Sequence, residues 1–118
     1  MLFYCLLPLF RPASLNRLSA CHRKYKVRLS RITVDSARLE EYNAYLKEEI
    51  EASMRLEPGV LVLYAVAEKE RPHHVTILEI YVDEAAYKSH IATPHFQKYK
   101  KETLDMVQSL ELVDTTPL

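Results

Sequence analysis

The segment HIATPHFQKY, residues 90–99, gathers two of the chain's five histidines, a Thr-Pro pair and two aromatic residues. Just upstream, VTILEIYV (75–82) alternates so that Val75, Ile77, Glu79 and Tyr81 share one face of a strand. A carboxylate among apolar neighbours is costly unless it has a partner. An imidazole beside it makes the pairing that general acid-base work needs: the carboxylate fixes the ring tautomer and the ring moves a proton near neutral pH. Glu79, Tyr81, His90 and His95 come from adjoining elements and can converge at one end of a sheet. The same pattern also suits a histidine that merely packs against a core.

The elements that must position these residues follow from periodicity. YKVRLSRITV (25–34) alternates as a first strand, with Val27, Leu29, Arg31 and Thr33 on one face and Arg28, Ser30, Ile32 and Val34 on the other. Asp35 or Ser36 caps a helix whose stripe is Leu39, Tyr42, Leu46, Ile50 and Met54, with Glu40-Glu41 and Lys47-Glu48-Glu49 on its wet face. Glu57-Pro58-Gly59 ends it, and Gly59, the only glycine in the chain, marks a backbone position expected to need positive φ. VLVLYAVA (60–67) reads as a second strand, EKERPHH as a polar hairpin connection and VTILEIYV as the third strand. Asp83 caps a short helix with Ala86, Tyr87 and His90 inward. Thr93-Pro94 then starts another helix, with a stripe of Phe96, Tyr99, Thr103, Val107 and Leu110. SLELV (109–113) is the last strand.

The order β-α-β-β-α(α)-β is the ferredoxin-like split βαβ arrangement of an α+β domain, an antiparallel sheet with helices on one face. In a domain this small the other face calls for a second subunit, so a homodimer is expected.

Composition narrows the function. With 48% apolar and 27% charged residues the chain is an ordinary globular sequence, and no run of eighteen apolar residues could span a membrane. One glycine leaves no room for a Gly-rich phosphate loop. Lys98-Tyr99-Lys100-Lys101 shares its helix with Glu102 and Asp105, which reads as a solvated face rather than a nucleic-acid site. His73 and His74 point apart in their hairpin, so no metal is expected there.

Residues 1–24 stand apart as an N-terminal extension or leader. They hold both cysteines, Cys5 and Cys21, and the first 34 residues carry seven basic side chains and no acid. Leu18-Ser19-Ala20-Cys21 looks like a lipoprotein processing box, but Pro12, Asn16 and two arginines interrupt the approach. The expected location is cytoplasmic, with export or lipidation at Cys21 as the alternative; the folded domain is assigned to 25–118.

EPGVLVLYAV followed by ILEIYVDEAAYKSHIATPHFQKY resembles the antibiotic biosynthesis monooxygenase (ABM) domain family, whose pattern is Glu-Pro-Gly, then Glu-x-Trp/Tyr, then His-x-x-Thr-Pro-His-Phe/Met/Tyr. The match covers roughly 26–113. It implies a dimeric α+β barrel with a pocket in each subunit between sheet and helices, and oxygenation of a small aromatic or quinol substrate by molecular oxygen without a cofactor. On that resemblance His90 is the base and Glu79 its orienting partner. Tyr81, Tyr64, Phe96 and His95 shape the pocket or bind in it. Asn43 stands on the helix where several oxygenating members carry an asparagine. The chain has no tryptophan, which argues against the haem-degrading branch. Two alternatives stay open: an isomerase of a small phosphorylated dicarbonyl compound, as in autoinducer-2 breakdown, and a non-catalytic dimer that binds a small ligand.

Overall fold

The structure is a computed structural model and describes residues 24–118. The leader, its cysteines and processing at Cys21 lie outside the described residues. The elements are β1 (Lys26–Val34), a 3-10 turn (Ser36–Arg38), α1 (Leu39–Leu56), β2 (Val60–Ala67), β3 (His74–Tyr81), α2 (Glu84–Ile91), α3 (Pro94–Thr103) and β4 (Val107–Thr115). All strand pairs are antiparallel in the order β2-β3-β1-β4, so each helical crossover spans one intervening strand. This is the expected α+β ferredoxin-like fold.

The ladder between β1 and β3 decides what the helices cover. It sets Ile32 opposite Val75, Ser30 opposite Ile77, Arg28 opposite Glu79 and Lys26 opposite Tyr81. Facing residues share one side of the sheet, so that side is apolar at one end and polar at the other. At the apolar end Ile32, Val34, Val75 and Ile77 pack with Tyr42 and Leu46 of α1, and Met106 closes the core. The polar end carries Arg28, Ser30, Glu79 and Tyr81. By the same alternation Leu29, Leu78, Ile80 and Tyr64 face away from the helices.

Three local expectations are corrected. The buried stripe of α1 runs Tyr42, Leu46, Glu49 and Ser53, while Met54 is 45% exposed. At 100° per residue, position 53 lies within roughly 20° of Leu46 around the helix, whereas position 54 lies about 80° away. Glu49 therefore leaves the wet face and enters the interior. The stripe assigned to the last helix also ends early, because Val107 and Leu110 belong to β4, where they pair with Val34 and Ile32. No glycine or proline marks that boundary, so strand pairing overrides a helical spacing that the side chains alone would continue.

Gly59 does not have positive φ. A side chain there is excluded by space: a Cβ on Gly59 would sit 2.7 Å from Ala86 Cβ of α2. The Val82 amide, just before α2, also donates to the Gly59 carbonyl at 2.9 Å. This contact seats α2 against the end of α1. Gly59→Ala should therefore push α2 outward and destabilise the fold by about 1–3 kcal/mol, as overpacking usually does. Urea unfolding would check it, and an unchanged midpoint would contradict the close approach as the reason for glycine.

Candidate functional site

The chain makes its site where two short helices meet the end of a long one. The Asp83 carboxylate accepts from the Ala86 amide at 2.8 Å and starts α2. Thr93 joins α2 to α3. Its hydroxyl donates to the His90 carbonyl at 2.7 Å and accepts from the Phe96 amide at 3.3 Å, while Pro94 fills the first turn, where no amide is needed. The side chains of His90 and His95, one on each side of this joint, then turn to the same carboxylate.

That carboxylate is Glu57, at the C-terminal cap of α1. His90 Nδ1 lies 3.1 and 3.3 Å from its two oxygens, and His95 Nε2 bonds Oε2. An ionised carboxylate only accepts, so both ring nitrogens carry hydrogen and donate. Burial pushes the Glu57 pKa up, but the bonds and charges of His95 and His90 outweigh it and leave this carboxyl below its usual range.

The other nitrogen of His90, Nε2, is 3.5 Å from Glu49 Oε1, which accepts from the Ser53 hydroxyl at 2.6 Å. His90 and Glu49 are both buried, 2% and 5% exposed. Burial raises the Glu49 pKa against the opposing effects of the Ser53 hydrogen bond and the nearby imidazoles. The two acids around one imidazole are thus pushed in opposite directions: Glu57 stays ionised and orients the ring, while Glu49 holds a proton more readily. That divergence is the condition for separate acid and base roles.

His90 and Glu49 border a cavity of about 310 Å³ between the helices and the polar end of the sheet. Tyr81, Phe96, Tyr99 and Ile77 give it aromatic and aliphatic walls, and Arg28, Ser30 and Glu79 stand on the sheet side. The rings of Tyr81 and Phe96 flank the His90 ring, with centroids 5.4 and 5.0 Å away.

Glu79 enters the cavity but is not the partner of His90. The Tyr81 hydroxyl donates to its Oε1 at 2.8 Å and the Ser30 hydroxyl donates to its Oε2. Both donors are hydroxyls on the sheet, because strand neighbours lie closer to Glu79 than the helix does. Burial, then the charge and hydrogen bond of Glu79, raise the Tyr81 phenol and keep it a donor. Of the other expected residues, His90, Tyr81 and Phe96 line the cavity. His95 lies behind it, bordering a groove between α1 and α3. Asn43 and Tyr64 border a separate groove beside β2, with Tyr64 66% exposed on the open side of the sheet.

Sequence reasoning missed Glu49 and Glu57. The signal for Glu49 was its spacing from Tyr42, Leu46 and Ser53; for Glu57 it was only its place before Pro58, which had been read as a stop. One oxygen of Glu49 and one ring nitrogen each of His90 and His95 lie within 4.8 Å of one another, close enough to share a divalent cation. With Glu57 already bonded to both rings, the same atoms can instead share protons.

Comparison with known proteins adds the family. The model described as "Antibiotic biosynthesis monooxygenase" matches residues 27–102. A crystal structure from Bacteroides thetaiotaomicron, provisionally assigned as an antibiotic biosynthesis monooxygenase, is 81% identical with a TM-score of 0.81, over 82% of this chain and 92% of that one. A provisionally assigned monooxygenase from Lactobacillus acidophilus is 29% identical with a TM-score of 0.76; the match covers 78% of this chain and 44% of that longer one. A conserved Methanosarcina mazei protein, 20% identical with a TM-score of 0.76 over 85% of this chain and 99% of that one, shares the fold. No curated protein matches. The family model extends from β1 into α3 and so takes in the cavity lining of the helices and of β1–β3, the Thr-Pro joint and both histidines: the chain belongs to the antibiotic biosynthesis monooxygenase family.

Proposed function

We propose that the protein is a cofactor-independent monooxygenase that oxidises a small aromatic or quinol substrate with molecular oxygen. The observation that carries this reading is the buried His90 ring at the wall of an aromatic cavity, its Nδ1–H held by ionised Glu57 and its Nε2 turned toward Glu49. Held in that tautomer, Nε2 is a base. It takes the phenolic proton of a bound substrate, and the electron-rich anion reduces oxygen directly. In an anthrone a ring CH2 becomes C=O, and in a quinol a ring C–H becomes C–OH as the quinol is oxidised to the quinone; in both, one oxygen atom enters the product and the other leaves as water with two hydrogens from the substrate. The substrate supplies both electrons, so no external reductant is required. Tyr81 and Phe96 hold the ring and exclude water from the anion. Glu49, able to carry a proton, returns it to the departing oxygen. The Glu79 role changes from orienting His90 to shaping the sheet side of the cavity with Tyr81 and Ser30.

A second reading draws on the Glu49–His90 pair. Two groups that exchange a proton across 3.5 Å can also move one between carbons beside a carbonyl, which is isomerisation without oxygen.

The active unit is proposed to be a homodimer. Leu29, Leu78, Ile80 and Tyr64 line the side of the sheet that no helix covers, and burying each aliphatic side chain contributes about 1.5–3 kcal/mol. Light scattering at micromolar concentration should give twice the chain mass; a monomer would remove the second sheet from the reading.

Oxygen electrode measurements with reduced quinols and anthrones should show uptake above the spontaneous rate. His90→Ala should reduce it by about 10²–10⁴-fold, the usual share of a general base. Treatment with a chelator should leave uptake intact; loss and recovery with a divalent cation would instead assign Glu49, His90 and His95 to a metal. Absence of uptake, together with exchange of a substrate C–H for deuterium under nitrogen, would move the assignment to isomerisation.

The pH profile separates the two acids. Burial holds the Glu49 pKa above the ordinary glutamate value of about 4.3, so kcat/KM should rise along an acid limb above that value. Glu49→Gln should displace this limb. Glu57 is shifted the other way, so its contribution to stability is present above about 4.3 and lost as pH falls through its lower folded value. An acid limb unmoved in Glu49→Gln would take Glu49 out of the proton path.

A further inference from the structure

Arg28 belongs to the cavity, and none of the roles above uses it. It is 8% exposed, on the sheet side, and its Nε–H has no hydrogen-bond partner among the described residues. Its guanidinium lies over the Tyr87 ring, 4.9 Å from the centroid, and hydrogen-bonds the Tyr87 side chain, which holds the group against α2. The surrounding acids leave this Nε–H without an acceptor. Glu79 is directly opposite in the ladder, but its oxygens accept from Ser30 and Tyr81. Asp114 is 4.0 Å from Nε, 75% exposed, and is also approached by Lys26 at 3.7 Å. Lys26 itself pairs with Glu84 at 3.1 Å.

A buried donor without an acceptor loses its hydration and recovers nothing, so the position is costly unless an acceptor is supplied. A guanidinium presents planar paired donors that fit the two oxygens of a carboxylate or phosphate. We infer that the ligand of this cavity carries an anionic group, a carboxylate or a phosphate, which Arg28 receives on the sheet side while the ligand's ring lies among Tyr81, Phe96 and His90. Arg28 is then the residue that selects among aromatic substrates. The inference rests on the cavity being the substrate site.

The test is calorimetric titration of the full chain under nitrogen with three probes that share one ring: hydroquinone, 2,5-dihydroxybenzoate and 4-hydroxyphenyl phosphate. At least one anionic probe should bind about tenfold or more tighter than hydroquinone, the scale of one hydrogen bond to a charged group. Which of the two gains identifies the group. In Arg28→Gln that preference should disappear, and in Arg28→Lys part should remain, because an ammonium keeps the charge without the fork. Equal affinities in the wild-type protein, a preference that survives Arg28→Gln, or no binding of either anionic probe at millimolar concentration would each overturn the inference. The wild-type comparison decides this even where a variant fails to fold. Oxygen uptake with hydroquinone by the wild-type protein reports on the oxygenase reading alone, so the two can fail separately.

Discussion

Glu57 holds together parts of the chain that no backbone ladder connects. It caps the end of α1, its amide bonding the Ser53 carbonyl at 2.9 Å, and its side chain accepts from one ring on α2 and one on α3. Pro58 keeps the helix from continuing past it. Gly59 then lets α2 come close enough for the His90 ring to reach the carboxylate. The three residues Glu-Pro-Gly thus set an electrostatic anchor, a chain direction and a clearance in succession. With the anchor ionised and both rings donating to it, the far nitrogen of His90 has a defined state, and everything chemical about the cavity depends on that.

The cavity exists because β1 changes character along its length. Ile32 and Val34 meet Val75, Ile77 and Met106 and are sealed, whereas Arg28 and Ser30 cannot be packed the same way. Polar side chains under a helical layer need partners: Ser30 and Tyr81 find Glu79 within the sheet, and Arg28 lies against Tyr87 of α2. The space left over them is lined by aromatic rings from α2 and α3. One strand therefore supplies both the core that stabilises the domain and the polar surface at the floor of its site.

The architecture was legible in the sequence because its signals are local. The alternation of β1 and β3, the Asp83 and Thr93 caps and the Pro94 start are each readable within a few residues, and the structure has them. His90, Tyr81 and Phe96 line the cavity; the first two were legible from their adjoining elements, and Phe96 was expected there on the family resemblance. The partner of His90 was not legible, since Glu57 is 33 residues away and reaches the ring only through the docking of α2 on Gly59. Proximity along the chain favoured Glu79, which the register directs to hydroxyls on its own sheet. Glu49 was hidden by its chemistry: an apolar stripe is drawn through apolar residues, so a buried acid on the same line is counted as surface. Tyr64 was expected in the pocket on the family resemblance, and alternation across the ladder puts it on the open side.

The Thr93 joint has a consequence for how this segment can vary. Its hydroxyl closes one helix and opens the next, which makes the interval between His90 and His95 a fixed mechanical length rather than a loop. One residue more or less after the joint would turn the second ring by about 100° around α3 and take it off the carboxylate. Residues 68–73, between β2 and β3, are under no such restraint from the site. Length variation among functional relatives should accumulate in that hairpin and be absent from 90–95, so the spacing of these histidines behaves as a ruler cut into the fold.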